Sequence, residues 1–254
     1  LESVIQREGQ ESIAAFIAEP VVGAAGGALT PPPEYFPIIR EICDRYDILM
    51  IVDEVITGFG RIGQNFGIDY WGVIPDIICT GKGMSSGYSP LGAVIVHNKV
   101  YQVFEESSKG FSHGHTFGGN PLSCAIGNAV LEYTEKHQLI QNVKKLSSHF
   151  FHKAEELAEL DIVGEIRGKG FFMGMEFVKD KTTKEPFAPE MNISGKIADI
   201  AFSKGLITGA NKGGIDGILG EHINLAPPFI CSKSDLDEII DIMKESIVEF
   251  QKSL

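Results

Sequence analysis

The sequence has no apolar run long enough to cross a bilayer, although 43% of its 254 residues are hydrophobic. It also has no excess of basic residues, since 22 Lys and Arg stand against 34 Asp and Glu and give a net charge of -12. Nucleic acids and anionic membrane surfaces are bound by basic faces, so we expect neither as a partner. The composition is typical of a globular protein, which we expect in the cytoplasm.

Cysteine is scarce, and its spacing excludes two kinds of site. The four cysteines have neither the spacing of a zinc site nor that of a redox motif, so we expect reduced thiols. The first residues lack the basic and then apolar pattern of a signal peptide. Because the chain begins with Leu1 rather than Met, we expect further sequence upstream.

Short apolar runs separated by helical segments predict an α/β fold. Continuous apolar runs at 13–18, 48–52, 76–80 and 91–96 indicate buried strands of a mostly parallel sheet with helices on both faces. Residues 34–47 have the helical period, and Asn120 followed by Pro121 is typical of a helix start.

The pattern changes after about residue 136. An alternating segment at 165–178 predicts an antiparallel strand pair, and we expect Ser234 to cap a terminal helix. We therefore predict two domains: residues 1–136 as the C-terminal part of a large α/β domain, and residues 137–254 as a smaller α+β domain.

In the segment "ILMIVDEVITGFGRIG", a predicted buried strand is followed directly by Asp53 and Glu54. These acids could be solvated or paired with a base such as Arg61. They could also form a Walker B element, but this requires a G-x-x-x-x-G-K-[ST] loop. The only candidate lysine, Lys82, has Asp76 in place of the first glycine and Gly83 in place of Ser or Thr, so the nucleotide interpretation fails within this sequence.

Lys82 suggests a different chemistry. It follows the strand "DIICTG" and precedes the flexible segment "GMSSGYSPLG". Strand ends of an open α/β sheet present ligand-binding groups, and enough chain separates Asp53 from Lys82 to cross to a neighbouring strand. A carboxylate and a lysine in one crevice are the minimal groups of pyridoxal phosphate chemistry, in which the lysine forms a Schiff base and the carboxylate keeps the pyridine nitrogen protonated.

The sequence resembles the class III (omega) aminotransferases, which have the pyridoxal-phosphate fold type I. The motifs occur in the family's order and cover nearly the whole chain: "AEPVVGAAGG", "DEVITGFGRIG", "PDIICTGKGMSSGYSPLGAV", "HGHTFGGNPLSCA", "IRGKGFFMGMEF" and "INLAPPF". The resemblance implies that this chain is the C-terminal portion of such an enzyme. Members of the family carry an N-terminal segment with the rest of the large domain, and that segment is expected upstream or on a companion chain.

The resemblance also implies roles for individual residues. Lys82 would be the Schiff-base lysine and proton shuttle, and Asp53 would pair with the pyridinium nitrogen. Val55 would pack against one face of the ring. Thr116 would bind the cofactor phosphate of the neighbouring subunit, which implies a homodimer with shared active sites. Glu19 corresponds to a glutamate that faces the substrate.

One departure from the family bears on the substrate. Members that act on amino acids often have an arginine just before the "PP" near the C-terminus, which binds the substrate carboxylate. Here Asn224 holds that position, and an amide supplies no charge. We therefore expect a donor that does not rely on this clamp. Ile56, where many members acting on alpha-amino acids have Gln, indicates the same.

The implied function is the transfer of an amino group from an amine or omega-amino acid to an oxo acid such as pyruvate. Two alternatives stay open, namely an aminomutase or other isomerase on the same cofactor, and an inactive truncated fragment. Whether the 254 residues are active alone is also open. We expect no metal site, because His113 and His115 lack further ligands at a suitable spacing. Glu54 receives no role.

Overall fold

The computed structural model describes residues 1–107 and 110–254, which divide into two units. The first unit comprises residues 1–20, 31–60 and 64–138, and the second comprises residues 21–30, 61–63 and 139–254. The main change of unit thus falls between Gln138 and Leu139. The predicted division into functional domains at residues 136 and 137 stays a prediction.

The first unit is built on a four-stranded sheet in the order β1-β2-β3-β4. Strands β1, β2 and β3 run parallel, and β4 pairs antiparallel with β3. Because three strands are parallel, their carboxyl ends lie at the same edge of the sheet. The strands are β1 (Ala15–Ala18), β2 (Leu49–Asp53), β3 (Ile77–Thr80) and β4 (Ala93–Val96).

The helices of this unit have recognisable sequence causes. In the second helix, Phe36, Ile39, Ile42 and Cys43 recur at the helical period, and all four are buried in one core cluster with the strand residue Met50. Helices α1 and α3 were not expected from the sequence. The helices are α1 (Glu2–Glu8), α2 (Tyr35–Arg45), α3 (Asn98–Glu106) and α4 (Pro121–Lys136).

The start of α4 confirms the sequence prediction. The Asn120 side chain accepts hydrogen bonds from the backbone N–H groups of Leu122 and Ser123, both at 3.1 Å. Pro121 occupies the first helical position, where its missing N–H costs nothing.

The burial predicted for β4 is wrong. Val94 is 64% exposed, Ile95 44% and Val96 39%, although the apolar run indicated a buried strand. The physical reason is that β4 is an edge strand that pairs with β3 alone, so it is covered less than the central strands β2 and β3.

The second unit contains a sheet in the order β5-β6-β8-β7, in which all neighbours are antiparallel. Its buried core includes Phe150, Met173, Met175 and Ile240, contributed by both helices and strands. The predicted antiparallel pair is therefore confirmed. The elements are α5 (Leu139–Ala158), β5 (Val163–Lys169), β6 (Phe172–Phe177), α6 (Ile193–Ser203), β7 (Gly209–Lys212), β8 (Glu221–Leu225) and α7 (Lys233–Gln251).

The cap of α7 corrects the sequence prediction, since Ser232 and not Ser234 is the N-cap. The hydroxyl of Ser232 accepts a hydrogen bond from the backbone of Asp235, and the Asp235 carboxylate accepts one from the backbone of Ser232. This reciprocal pair is a capping box, and because the helix begins at Lys233, Ser234 lies inside it. None of the helices in the described ranges is long and apolar enough to cross a membrane.

Candidate active site

Three residues of the first unit lie where its parallel strands end, at one edge of the sheet. Asp53 is the last residue of β2, Glu19 directly follows β1, and Lys82 follows β3 after Gly81. Ala18 pairs with Val52 across the parallel strands, so Glu19 leaves β1 alongside Asp53. The structure therefore brings the predicted residues Glu19, Asp53 and Lys82 to the same edge.

Asp53 is held in a defined orientation. Its Oδ1 accepts a hydrogen bond of 3.0 Å from the backbone N–H of Val55. Asp53 pairs in register with Cys79 of β3. Burial raises the pKa of the Cys79 thiol, and the nearby Asp53 carboxylate raises it further. The carboxylate of Asp53 thus lies beside the strand that leads to Lys82.

Lys82 occupies an unusual backbone conformation. Its φ is 38°, in the left-handed region that residues other than glycine rarely adopt. It begins a short 3-10 helix, Lys82–Ser85, directly after the extended Gly81. The side chain is exposed, and no described residue forms an ion pair with its amine. Backbone strain of this kind is concentrated at functional sites, where the surrounding structure maintains it.

Val55 lies against the loop that carries Lys82. A Cβ placed on Gly81 would lie 3.7 and 3.8 Å from the two Cγ atoms of Val55, which is ordinary contact distance. A Cβ placed on Gly83, on the other side of Lys82, would likewise be close to the backbone oxygen of Gly58. The turn after Asp53 and the loop of Lys82 are therefore packed together.

Glu54 is a residue whose importance sequence reasoning missed. It is fully buried, and its carboxylate accepts hydrogen bonds from the Thr57 hydroxyl (2.5 Å), the Gly67 N–H (2.7 Å) and the Ile68 N–H (2.8 Å). Burial raises the pKa of Glu54, and these hydrogen bonds oppose that effect. A signal was present in the sequence, because successive side chains of a strand point to opposite faces and only one of the two acids can face a ligand.

Thr116 and Asn224 lie elsewhere in the fold. Thr116 is exposed in a turn that precedes α4 of the first unit. Asn224 belongs to β8 of the second unit, where Gly174 and Gly209 pair with it from the neighbouring strands. Its Oδ1 is buried and has no hydrogen-bond partner among the described residues. The roles assigned to these two residues stay predictions.

Arg61, which follows the turn in sequence, has contacts of its own within the second unit. Its Nη1 donates to the backbone oxygens of Phe171 (3.0 Å) and Pro227 (2.6 Å), and its guanidinium lies 4.6 Å from the centre of the Phe229 ring. Burial lowers the pKa of Arg61 to about 10. Among the described residues, no group of three or more His, Cys, Asp and Glu is placed to hold a metal ion.

The groups at the sheet edge fit pyridoxal phosphate. Asp53 offers a carboxylate for the ring nitrogen, Lys82 an amine without an ion-pair partner in the described ranges, and Val55 an apolar surface.

Comparison with known proteins supports pyridoxal phosphate as the cofactor. The model of the family "Aminotransferase class-III" matches residues 1–247. An uncharacterised aminotransferase of Bacillus subtilis is 40% identical over 100% of this chain and 57% of its own length. A transaminase from the marine bacterium Virgibacillus has a TM-score of 0.93 at 36% identity, with 99% of this chain and 56% of that chain covered.

A second solved structure carries the cofactor. It is an amine transaminase from an uncultivated Pseudomonas species in the form bound to pyridoxal phosphate, with a TM-score of 0.90, 36% identity and coverage of 98% of this chain and 55% of that chain. The predicted fold class is confirmed by these structures, and the predicted cofactor is confirmed at the level of the family. The chain spans about half the length of the relatives that it matches. It belongs to the class-III aminotransferase family.

Proposed function

We propose that this chain forms part of a pyridoxal-phosphate-dependent aminotransferase that moves an amino group from an amine or omega-amino acid to an oxo acid such as pyruvate. The observation that carries the proposal is the placement of Asp53 and Lys82 at one edge of a parallel sheet. Membership of the class-III family supports the reaction class.

Within this function, pyridoxal phosphate supplies an aldehyde that bonds to amines and a ring that withdraws electrons from the bonded carbon. With the cofactor bound, the Nζ of Lys82 would hold it. The same Nζ, once free, would act as the base and acid that moves the proton of the carbon next to the substrate nitrogen. Asp53 would keep the pyridine nitrogen protonated, and Val55 would offer an apolar surface to the ring.

The remaining predicted residues belong to substrate and subunit contacts. Glu19 faces the substrate from the end of β1. Asn224 takes the place of a carboxylate-binding arginine, which favours a donor without an alpha-carboxylate. Thr116 binds the cofactor phosphate of a neighbouring copy, and its exposure in a turn is compatible with such a contact. The active assembly is therefore a homodimer with shared sites.

The visible absorption band of the covalently bound cofactor tests the lysine assignment. We expect the protein at its natural length to show this band, and Lys82→Ala to lose it together with amino transfer. Lys136→Ala, which changes an exposed lysine near the end of α4, is the control and should keep both. A persistent covalent band in Lys82→Ala would show that another lysine holds the cofactor.

A panel of amino donors tests the proposed preference for amines and omega-amino acids. We expect primary amines and omega-amino acids to convert pyruvate to alanine faster than alpha-amino acids do. Reaction of a donor in the absence of any oxo acid would instead identify an isomerase, since isomerisation needs no second substrate. Preference for alpha-amino acids would contradict the role given to Asn224.

A further inference from the structure

Glu54 is a buried carboxylate that the proposed mechanism does not use. It directly follows Asp53 and is fully excluded from solvent. Within the described residues no cation pairs with it, and its acceptors are filled by three neutral donors, from Thr57, Gly67 and Ile68. A buried charge is costly without a counterion, so its presence requires a structural or functional reason.

The main chain of Glu54 is fixed as firmly as its side chain. Its N–H donates to the carbonyl of Cys79 on β3 at 2.8 Å, and its own carbonyl accepts from the N–H of Gly58 at 2.9 Å. The first bond extends the pairing of β2 with β3 beyond Asp53, and the second closes the turn. Glu54 therefore joins the sheet, the turn and the segment that begins at Gly67.

These bonds determine where the neighbouring side chains lie. Because side chains alternate along a strand, anchoring Glu54 in the interior directs Asp53 to the opposite side. The same anchor fixes Val55, whose N–H donates to the Asp53 carboxylate and whose Cγ atoms would be in contact with a Cβ placed on Gly81. Gly81 in turn precedes Lys82. Glu54 is thus linked through these contacts to Asp53, Val55 and the loop of Lys82.

A side chain at position 67 would not fit beside Thr57 and Glu54. A Cβ on Gly67 would lie 2.7 Å from Thr57 Cβ and 3.0 Å from Glu54 Oε2. The glycine at position 67 therefore allows its N–H to reach the carboxylate. The three donors and the acid form a closed arrangement in which a shift of one displaces the others.

We propose that Glu54 is a positioning residue that fixes Asp53, Val55 and the loop of Lys82 in the arrangement that the cofactor requires. The inference rests on the proposed function, because the cofactor is the reason for the arrangement. Glu54 touches neither cofactor nor substrate in this role.

Glu54→Gln tests the proposal in the protein at its natural length. The amide keeps the size of the acid but turns an NH₂ group toward backbone N–H donors. We expect pyridoxal phosphate to bind about tenfold more weakly, the size of effect that hydrogen bonds to charged groups produce. We also expect the pH titration of the visible band to shift, because Asp53 and Lys82 no longer keep their relative position.

Glu221→Gln is a matched control. Glu221 is also buried, and its carboxylate likewise accepts from two backbone N–H groups, of Ile193 and Ser194, and from one hydroxyl, of Ser194. It lies in the second unit. We expect Glu221→Gln to lower the thermal midpoint of the cofactor-free protein to a similar degree and to leave the cofactor affinity and the band titration unchanged.

The results distinguish a failure of the positioning role of Glu54 from a failure of the proposed function. Wild-type affinity and an unchanged titration in Glu54→Gln would overturn the proposal and leave the proposed function standing. Absence of the visible band from the wild-type protein would overturn both. If Glu54→Gln does not fold, Thr57→Val decides, because it removes one hydrogen bond and keeps the acid. Weaker cofactor binding in Thr57→Val supports the positioning role, and unchanged binding contradicts it.

Discussion

Asp53 and Cys79 lie side by side, in register, on the parallel strands β2 and β3. Because both strands end at this edge of the sheet, the loop that follows Cys79 brings Lys82 to the same edge as the Asp53 carboxylate. This relationship depends on the direction of the strands, since an antiparallel pair would place the two groups at opposite edges.

Asp53→Asn should retain the cofactor and lose catalysis. The amide can still accept the Val55 N–H, but it cannot hold the pyridine nitrogen in its protonated form. We expect the rate of a single half-reaction to fall about 1,000-fold, as when one electrostatic contact to developing charge is removed. Stopped-flow spectroscopy on fully loaded protein measures this rate. The control is Asp69→Asn, an exposed acid of the same unit, and a rate near that of wild type in Asp53→Asn would refute the assignment.

Asp76 should make stability dependent on pH in the acid range. Its side chain is 4% exposed. Burial raises its pKa, but hydrogen bonds from Lys99, the Met50 N–H and Arg40 together bring the pKa below the usual value. The folded state therefore binds the proton less readily than the unfolded chain. The stabilisation is complete above about pH 4, where an unfolded aspartate titrates, and is lost as the pH falls through the folded value.

Asp76→Asn isolates this contribution. We expect a loss of about 3 kcal/mol in the free energy of unfolding at pH 7, because Arg40 loses a buried partner. The difference from wild type should shrink as the pH falls from about 4 through the lowered folded pKa of Asp76, below which the wild-type side chain is neutral as well. Denaturant titrations across this range measure it. Asp44→Asn, which alters an exposed partner of Arg40, serves as control, and a difference that stayed constant with pH would contradict the explanation.

The sequence was sufficient to predict the strand ends and the groups placed there. Apolar runs before Asp53 and Lys82 predicted strands, and parallel pairing then determined a common edge. The role of Glu54 could not be obtained in this way, because its partners Gly67 and Ile68 are distant in sequence and reach it only after folding. The exposure of β4 was missed for a related reason, since an apolar run predicts that a strand forms but does not show what covers it.

The space around two glycines of the second unit could not be predicted from the sequence. Gly174 and Gly209 flank Asn224 on both sides in the same sheet, and nothing in the local sequence distinguishes them. The structure does. A Cβ on Gly174 would lie 1.9 Å from the backbone oxygen of Gly27, whereas the nearest atoms to a Cβ on Gly209 lie at 3.7 Å.

Gly174→Ala should therefore destabilise the second unit, and Gly209→Ala should not. Overpacking against a backbone atom forces the segment at Gly27 away from the sheet, and we expect a cost of about 3 kcal/mol. Gly209→Ala should be neutral or stabilise by about 0.5 kcal/mol, since alanine restricts the unfolded chain. Chemical denaturation of both variants measures the contrast. Equal effects would show that Gly27 can move without cost.

Arg61→Lys should destabilise the protein although both side chains are basic. The guanidinium holds the backbone oxygens of Phe171 and Pro227 from one nitrogen and lies over the Phe229 ring. A lysine has no planar group to lie over that ring, and burial would favour its neutral form. We expect a loss of about 2 kcal/mol in the free energy of unfolding, the sum of one hydrogen bond and a cation–π contact.

The matched control for Arg61→Lys is Arg7→Lys. The side chain of Arg7 is 71% exposed and pairs with Glu8 at the surface, so this exchange should leave stability unchanged. Thermal and denaturant unfolding of the two variants give the comparison.

The pKa of Arg61, lowered to about 10 by burial, makes stability depend on pH in the alkaline range. Because the folded state gives up this proton more readily than the unfolded chain, wild-type stability should gain from Arg61 as the pH rises above about 10. Arg61→Met, which cannot titrate, should lack that gain, and an identical pH dependence in both proteins would show that the guanidinium stays charged.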